Sequence, residues 1–211
     1  MKLRELFNTI IQLDDNEWNI LQNLLKERSF KKGEYLVSEG KVENYINLIV
    51  EGSCRVYYMK NGIEYNYIIA LEDDWISSYK SFTANMPSDE NIQAMTNMKV
   101  YSVHRDSIKN LASLNLKFSI LERYIVNQII NDKTERLRSF VSDTPEERYL
   151  KLLKKKPNVV QNISLKFLAS YIGITAESLS RMRKRLLQKK KYLFLILSQF
   201  FNYKLKVVLH F

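Results

Sequence analysis

The spacing of apolar residues changes twice along the chain, and each change predicts a change of structure. Near the start, Asp14-Asp15-Asn16-Glu17 precedes Leu21, Leu24 and Leu25. Three-and-four spacing predicts a helix, with Asp14 as its cap and Glu17 reaching back to it. From Phe30 to Val103, Gly33, Gly40, Gly52 and Gly62 punctuate short runs rich in Tyr, Ile and Val. Asn61-Gly62, between Arg55-Val56-Tyr57-Tyr58 and Ile63-Glu64-Tyr65-Asn66-Tyr67, is a strong hairpin signal. Regular short strands separated by turns predict a β-barrel or jelly roll. From about Ser107 the helical period returns through Ile108, Leu111, Phe118, Leu121, Ile125 and Ile129, with Leu137 further on. Leu116 to Phe140 has no Gly or Pro and predicts one helix of roughly 36 Å. So long a stripe exceeds what a small barrel covers, which predicts a partner helix and a homodimer; the alternative is that the barrel and the C-terminal domain together bury all of it. Thr144-Pro145-Glu146-Glu147 starts another helix, with a Thr cap, Pro in the first turn and Glu three after the cap. That helix is expected to stop before Pro157, with a domain boundary at Val141-Ser142-Asp143.

The segment from Leu165 to Leu186 predicts a helix-turn-helix. Two short helices that cross steeply need a small residue at their closest approach, and Ala169 supplies it. The tight turn needs positive φ, and Gly173 supplies that. Leu168, Ile172, Ile174, Leu179 and Met182 fall where the two helices bury apolar side chains. Ser164 can cap the first helix and Thr175 the second. The second helix is expected to expose Ser178, Arg181, Lys184 and Arg185, whose cations suit phosphates and guanine edges. Residues near the start of a recognition helix reach base edges. Arg181 is therefore the candidate for a bidentate guanine contact, and Glu177 for accepting from cytosine N4. Glu177 also reads simply as a first-turn acid that suits the helix dipole. Ser180 is placed to touch a base or a thymine methyl, and Ser164, Thr175, Lys184 and Arg185 to hold the DNA backbone.

Charge sharpens this division. The 211 residues carry a net charge of +10, but residues 1–132 hold 15 basic against 18 acidic side chains. Residues 133–191 hold 16 basic against 5 acidic. An acidic first part joined to a basic second part suits a sensor joined to a polyanion binder, although a solvated basic face would look the same. One cysteine, Cys54, allows no intrachain disulfide and no iron–sulfur cluster, and suits a reducing cytoplasm. Cys54 reads as a core strand residue, with a single redox-sensing thiol as the alternative. Only His104 lies in the predicted barrel, too few histidines for haem or a cupin-like metal site. No cofactor is expected. The start of the chain lacks the apolar core of a signal peptide, and no run of about 18 apolar residues predicts a membrane span.

The chain resembles the CRP/FNR family of bacterial regulators over about residues 10–188. The resemblance rests on Lys32-Gly33-Glu34-Tyr35-Leu36 with Glu39-Gly40, on Ile49-Val50-Glu51-Gly52 leading into Arg55-Val56-Tyr57, on the long helix, and on Gly173 to Arg181. It implies an α+β fold: a β jelly-roll barrel that resembles a cyclic-nucleotide-binding domain (1–115), a long dimerisation helix (116–141) and a C-terminal helical, winged-helix-like DNA-binding domain (142–191). It also implies palindromic promoter sites. Glu177, Ser180 and Arg181 match the Glu-x-x-Ser-Arg pattern of FNR-like members, which implies half-sites related to TTGA. Ala176 stands where CRP-like members place an Arg. The partners implied are double-stranded DNA, a second copy of the chain and, for an activator, RNA polymerase.

The departures concern the effector. Members that bind cyclic AMP carry Gly-Glu and then Arg-Ser or Arg-Thr around a short helix. Ser77-Ser78 before Tyr79 and Ser88-Asp89 before Glu90 stand in those places. A cyclic phosphate would lose its cation and face two carboxylates, so no cyclic-nucleotide binding is expected. Ser77, Ser78, Tyr79, Ser88 and Asp89 are the candidate effector pocket, its ligand unknown. The leading function is a transcription regulator. The alternative is a small-molecule sensor with a non-nucleotide effector and vestigial DNA binding. No nucleophile–base pair, P-loop or metal motif supports an enzyme. The apolar tail 192–211 is atypical: it offers only Asn202 as the turn of a wing, and reads either as an extra packing element or as the product of a frame slip in the lysine codons.

Overall fold

The computed structural model describes residues 3–155 and 163–188. The expected helix stop at Pro157 and the tail 192–211 lie outside the described residues. The chain divides into two compact units between Asp143 and Thr144.

The first unit opens with α1 (Leu3–Asn8) and α2 (Asp15–Leu24). Asp14 caps α2 as its sequence predicts: the Glu17 amide donates to Asp14 Oδ1 at 2.8 Å and the Asp14 amide to Glu17 Oε2 at 2.9 Å. Eight strands follow: β1 (Lys26–Phe30), β2 (Tyr35–Val37), β3 (Tyr45–Glu51), β4 (Ser53–Lys60), β5 (Ile63–Leu71), β6 (Trp75–Ile76), β7 (Asn91–Ala94) and β8 (Met98–His104), with α3 (Tyr79–Ala84) between β6 and β7. They do not close into the expected barrel. They form two antiparallel four-stranded sheets, ordered β1-β8-β3-β6 and β2-β7-β4-β5. The chain changes sheet at Gly52, between β3 and β4, where φ is +88° and an added Cβ would stand 2.4 Å from the Asn97 carbonyl oxygen. Only glycine fits so close a backbone approach. The β4–β5 hairpin turns at Asn61 and Gly62, both at positive φ, with Lys60 opposite Ile63.

Two apolar clusters hold this unit. Ile49, Val56, Ile68, Ile92 and Val100 belong to one, and Cys54 is fully buried among them. The other joins Ile46, Leu48 and Trp75 of the strands to Phe7 and Leu13 of the N-terminal segment, to Trp18 and Leu21 of α2, and to helical residues that follow β8. Those residues come from α4 (Arg105–Leu114) and α5 (Leu116–Ser142), which starts at its expected residue and runs two residues past the expected end. His104 caps α4, accepting from the Asp106 amide at 3.3 Å. The stripe Leu111, Phe118, Leu121, Ile125 and Ile129 is buried inside this cluster. It is covered by α1, α2 and a sheet of its own chain, so it does not by itself call for a partner. A different stripe on α5 is exposed: Leu116, Ile130, Leu137 and Val141. Leu137, which its spacing places with the first stripe, belongs to the second.

The second unit begins with α6 (Pro145–Lys155). Thr144 Oγ1 accepts from the Glu147 amide at 3.3 Å, and Glu147 Oε2 accepts from the Thr144 amide at 2.7 Å. Further helices span Leu165–Ile172 and residues 176–188. Their core is Tyr149, Leu152, Leu168, Ala169, Ile172, Leu179 and Met182.

Candidate nucleic-acid interface and ligand cleft

The turn between the last two helices is built by four residues that the sequence marks. Ser164 Oγ accepts from the Phe167 amide at 3.3 Å and so caps the helix Leu165–Ile172. Gly173 ends that helix in the left-handed region at φ +84°, its amide donating to the Ala169 carbonyl at 2.9 Å. Thr175 Oγ1 accepts from the Ser178 amide at 3.2 Å and caps the helix 176–188. Ala169 is 2 % exposed and belongs to the apolar core of this unit. Arg148, which sequence reasoning missed, closes the back of the turn. Its Nε donates to the Ile172 carbonyl at 2.8 Å, satisfying a buried helix-terminal acceptor. Charge patterning gave no signal for it, because its role depends on a residue 24 positions away.

With Leu179 and Met182 turned inward, Glu177, Ser180, Arg181 and Lys184 share the opposite, exposed face of the helix 176–188. Thr175 and Ser164 are also exposed. The other two candidates lie at the border of that face. Ser178 is half-buried rather than exposed, and its Oγ accepts from Arg181 Nη2 at 3.2 Å. Arg185 Nη2 donates to Glu146 Oε2 at 2.6 Å. Both line a groove of about 650 Å³ shared with Thr144, Leu150 and Ile174. Glu177 does what a first-turn acid does. Its own backbone N–H, the Thr175 hydroxyl and nearby Arg181 hold its carboxyl below the usual carboxylate range.

In the first unit, the two halves of the candidate effector pocket meet at one bond. Ser78 Oγ and Ser88 Oγ are 2.9 Å apart and both side chains are buried. Ser88 Oγ also donates to the Glu90 carbonyl at 2.7 Å. The remaining candidates point elsewhere. Ser77 donates to the Tyr45 carbonyl at 2.9 Å, and Tyr79 packs against the apolar cluster that holds α5. Asp89 is exposed and paired with Lys80 at 2.6 Å, which holds its carboxyl low. The two carboxylates are therefore not without cations, as their sequence neighbours suggest. Lys133 of α5 reaches Glu90 at 3.2 Å. The Tyr67 hydroxyl also donates to Glu90. Burial pushes the Glu90 carboxyl up, while Lys133 opposes the shift. A cleft of about 490 Å³ opens beside this cluster, lined by Glu39, Tyr58, Met59, Tyr67, Asp89 and Glu90. Sequence reasoning missed Tyr58, Tyr67 and Lys133, because β4, β5 and α5 meet the 87–90 loop only in the folded chain. Among the described residues no group of three His, Cys, Asp or Glu side chains is placed to hold a metal ion, and no helix is long and apolar enough to cross a membrane.

The strands, the short α3 and this cleft lie in one stretch of sequence. Residues 27–115 match the cyclic nucleotide-binding domain family. That match ends before α5 and the second unit, so it bears on the cleft and not on the exposed cationic helix. No curated protein matches the chain. Solved structures extend the likeness of fold. FixK2 from Bradyrhizobium japonicum is 18 % identical with a TM-score of 0.67, over 79 % of this chain and 86 % of its own. A CooA mutant from Carboxydothermus hydrogenoformans is 14 % identical with a TM-score of 0.64, over 90 % and 85 %. A candidate transcriptional regulator of the CRP/FNR family from Eubacterium rectale is 15 % identical with a TM-score of 0.63, over 87 % of each chain. The chain thus shares its fold with these solved structures, and the cyclic nucleotide-binding domain match covers residues 27–115 of the first unit.

Proposed function

We propose that this chain is a sequence-specific DNA-binding transcription regulator of the CRP/FNR type, acting as a dimer on palindromic sites without cyclic nucleotide. The observation that carries the reading is the exposed face Glu177, Ser180, Arg181 and Lys184 on a capped helix whose other face is locked into a core. That is the arrangement of a helix-turn-helix, with the second helix free to enter a major groove. Arg181 takes a guanine and Glu177 a cytosine amine. Ser180 touches a neighbouring base. Ser164, Thr175 and Lys184 hold the backbone, as do Ser178 and Arg185 at the border of the face. For Arg185 this means exchanging Glu146 for a phosphate. Half-sites related to TTGA follow from the match at Glu177, Ser180 and Arg181. The exposed stripe on α5 is the dimer surface, and RNA polymerase is a further partner if the regulator activates.

The Ser78–Ser88 bond and the buried Glu90 support the second half of the reading. The two hydroxyls bond each other, and the cations beside them, Lys80 and Lys133, already pair with Asp89 and Glu90, which disfavours a cyclic phosphate. Isothermal titration with cyclic AMP and cyclic GMP is expected to show no binding, and micromolar affinity for either would sink this part.

Selection of bound sequences from random DNA tests the main reading. Enrichment of a palindrome is expected, with Arg181→Ala weakening the enriched site by about 1–3 kcal/mol per half-site. Absent or salt-insensitive binding would favour the alternative, a small-molecule sensor with vestigial DNA binding. The tyrosine-lined cleft is the observation that keeps that alternative in play.

A further inference from the structure

We propose that Lys133 is a built-in tether that fixes the C-terminal half of α5 to the 87–90 loop and β5, so that the chain itself makes the link between cleft and helix. The buried stripe of α5, Leu121, Ile125 and Ile129, does not end at Ile129. It continues at the same three-and-four spacing into Lys133 and Arg136, where the face changes from apolar to cationic. The first half of the helix is therefore held by hydrophobic burial and the second by directed polar bonds.

Those bonds converge on two elements. Lys133 Nζ lies 3.2 Å from Glu90 Oε1 and 3.4 Å from Oε2, and 5.8 Å from the centre of the Tyr67 ring. Tyr67 itself donates to Glu90. Arg136, 7 % exposed, donates from Nε to the Tyr67 carbonyl at 2.9 Å and stacks on Phe140 at 4.1 Å. The Lys133 side chain is 30 % exposed and the Glu90 side chain 10 %. A pair so withdrawn from water is screened far less than a surface pair, and removing one partner strands the other. Ser88, two residues before Glu90, is anchored to Ser78, so the loop that Lys133 grips is itself fixed to the end of β6 and the start of α3.

The tether is independent of DNA binding and is tested on the full-length protein by amide hydrogen exchange over residues 128–140. Lys133→Glu and Glu90→Lys are each expected to speed exchange there at least tenfold, and the double swap to return it to within about threefold of the parent. Lys133→Met, which keeps helix propensity but not the charge, is expected to lie between. Lys109→Met on the exposed side of α4 is the control and is expected to leave the segment unchanged. Exchange within twofold of the parent in both single reversals would overturn the proposal. So would a double swap as fast as the singles, since that would show two unrelated structural losses in place of one coupled pair.

Discussion

Glu43 is 2 % exposed, and one of its carboxylate oxygens, Oε2, has no hydrogen-bond partner among the described residues. Its Oε1 accepts from the Tyr45 amide at 2.9 Å. Burial pushes the carboxyl up to about 7, against the backbone N–H of Tyr45 and the charge of Arg28. The folded protein thus holds this proton more tightly than the unfolded chain does. Its contribution to stability is complete below the ordinary carboxylate range and is lost as pH rises through about 7. Glu43→Gln removes that loss. In urea unfolding it is expected to match the parent near pH 4.5 and to exceed it at pH 8 by on the order of 3 kcal/mol. An equal gap at both values would contradict the assignment. Nothing in the sequence marks Glu43, because the groups that act on it, Arg28, Ser81 and Tyr45, arrive from three elements. Gly173 is the opposite case. Its left-handed φ was legible from the residue type and its four-residue distance from Ala169. Gly173→Ala is expected to destabilise the second unit by about 1–2 kcal/mol, read as a lowered midpoint in thermal unfolding.

At the scale of elements, local signals carried well and long-range ones did not. The α2 and α6 caps, the Asn61-Gly62 hairpin and the turn at Gly173 each depend on residues within a few positions of one another, and each was legible. The division of α5 into two faces was not. A period of 3.6 shows that a helix has an apolar stripe but not which neighbour covers it. Here α1, α2 and a sheet cover Leu121, Ile125 and Ile129, leaving Leu116, Ile130, Leu137 and Val141 in solvent. Ile130, Leu137 and Val141 are seven and four residues apart, a spacing that suits a seam with an identical helix. The two stripes therefore predict different phenotypes. Leu137→Glu is expected to yield a folded monomer in sedimentation velocity, with unchanged circular dichroism, and a dimer that persists would remove this seam from the reading. Ile129→Ala is expected to lower stability by about 2–5 kcal/mol while leaving the oligomeric state alone.

For the whole molecule, the uneven charge is the feature that composition showed and the fold interprets. The excess of basic residues falls in 133–191, and the exposed members Arg181 and Lys184 lie on one helix face. A dimer that places three to five cations per copy on phosphates should lose affinity linearly in log salt, with a slope between about −5 and −9. The contribution of each cation depends on what already neutralises it. Lys184 is exposed, and Lys184→Ala is expected to make the slope shallower by about two for the dimer. Arg185 is already paired with Glu146 at 2.6 Å, so in the proposed complex it would exchange one anion for another. Arg185→Ala is therefore expected to change the slope by less than Lys184→Ala does. Glu146→Gln should steepen it, because a released Arg185 adds a counterion-bearing cation to the free protein. Lys99→Ala in the acidic first unit, where Lys99 faces Glu51, is expected to leave the slope unchanged. If Lys99→Ala and Lys184→Ala shift the slope equally, the charge acts as a diffuse field over the whole surface, and the helix 176–188 is not where the phosphates lie.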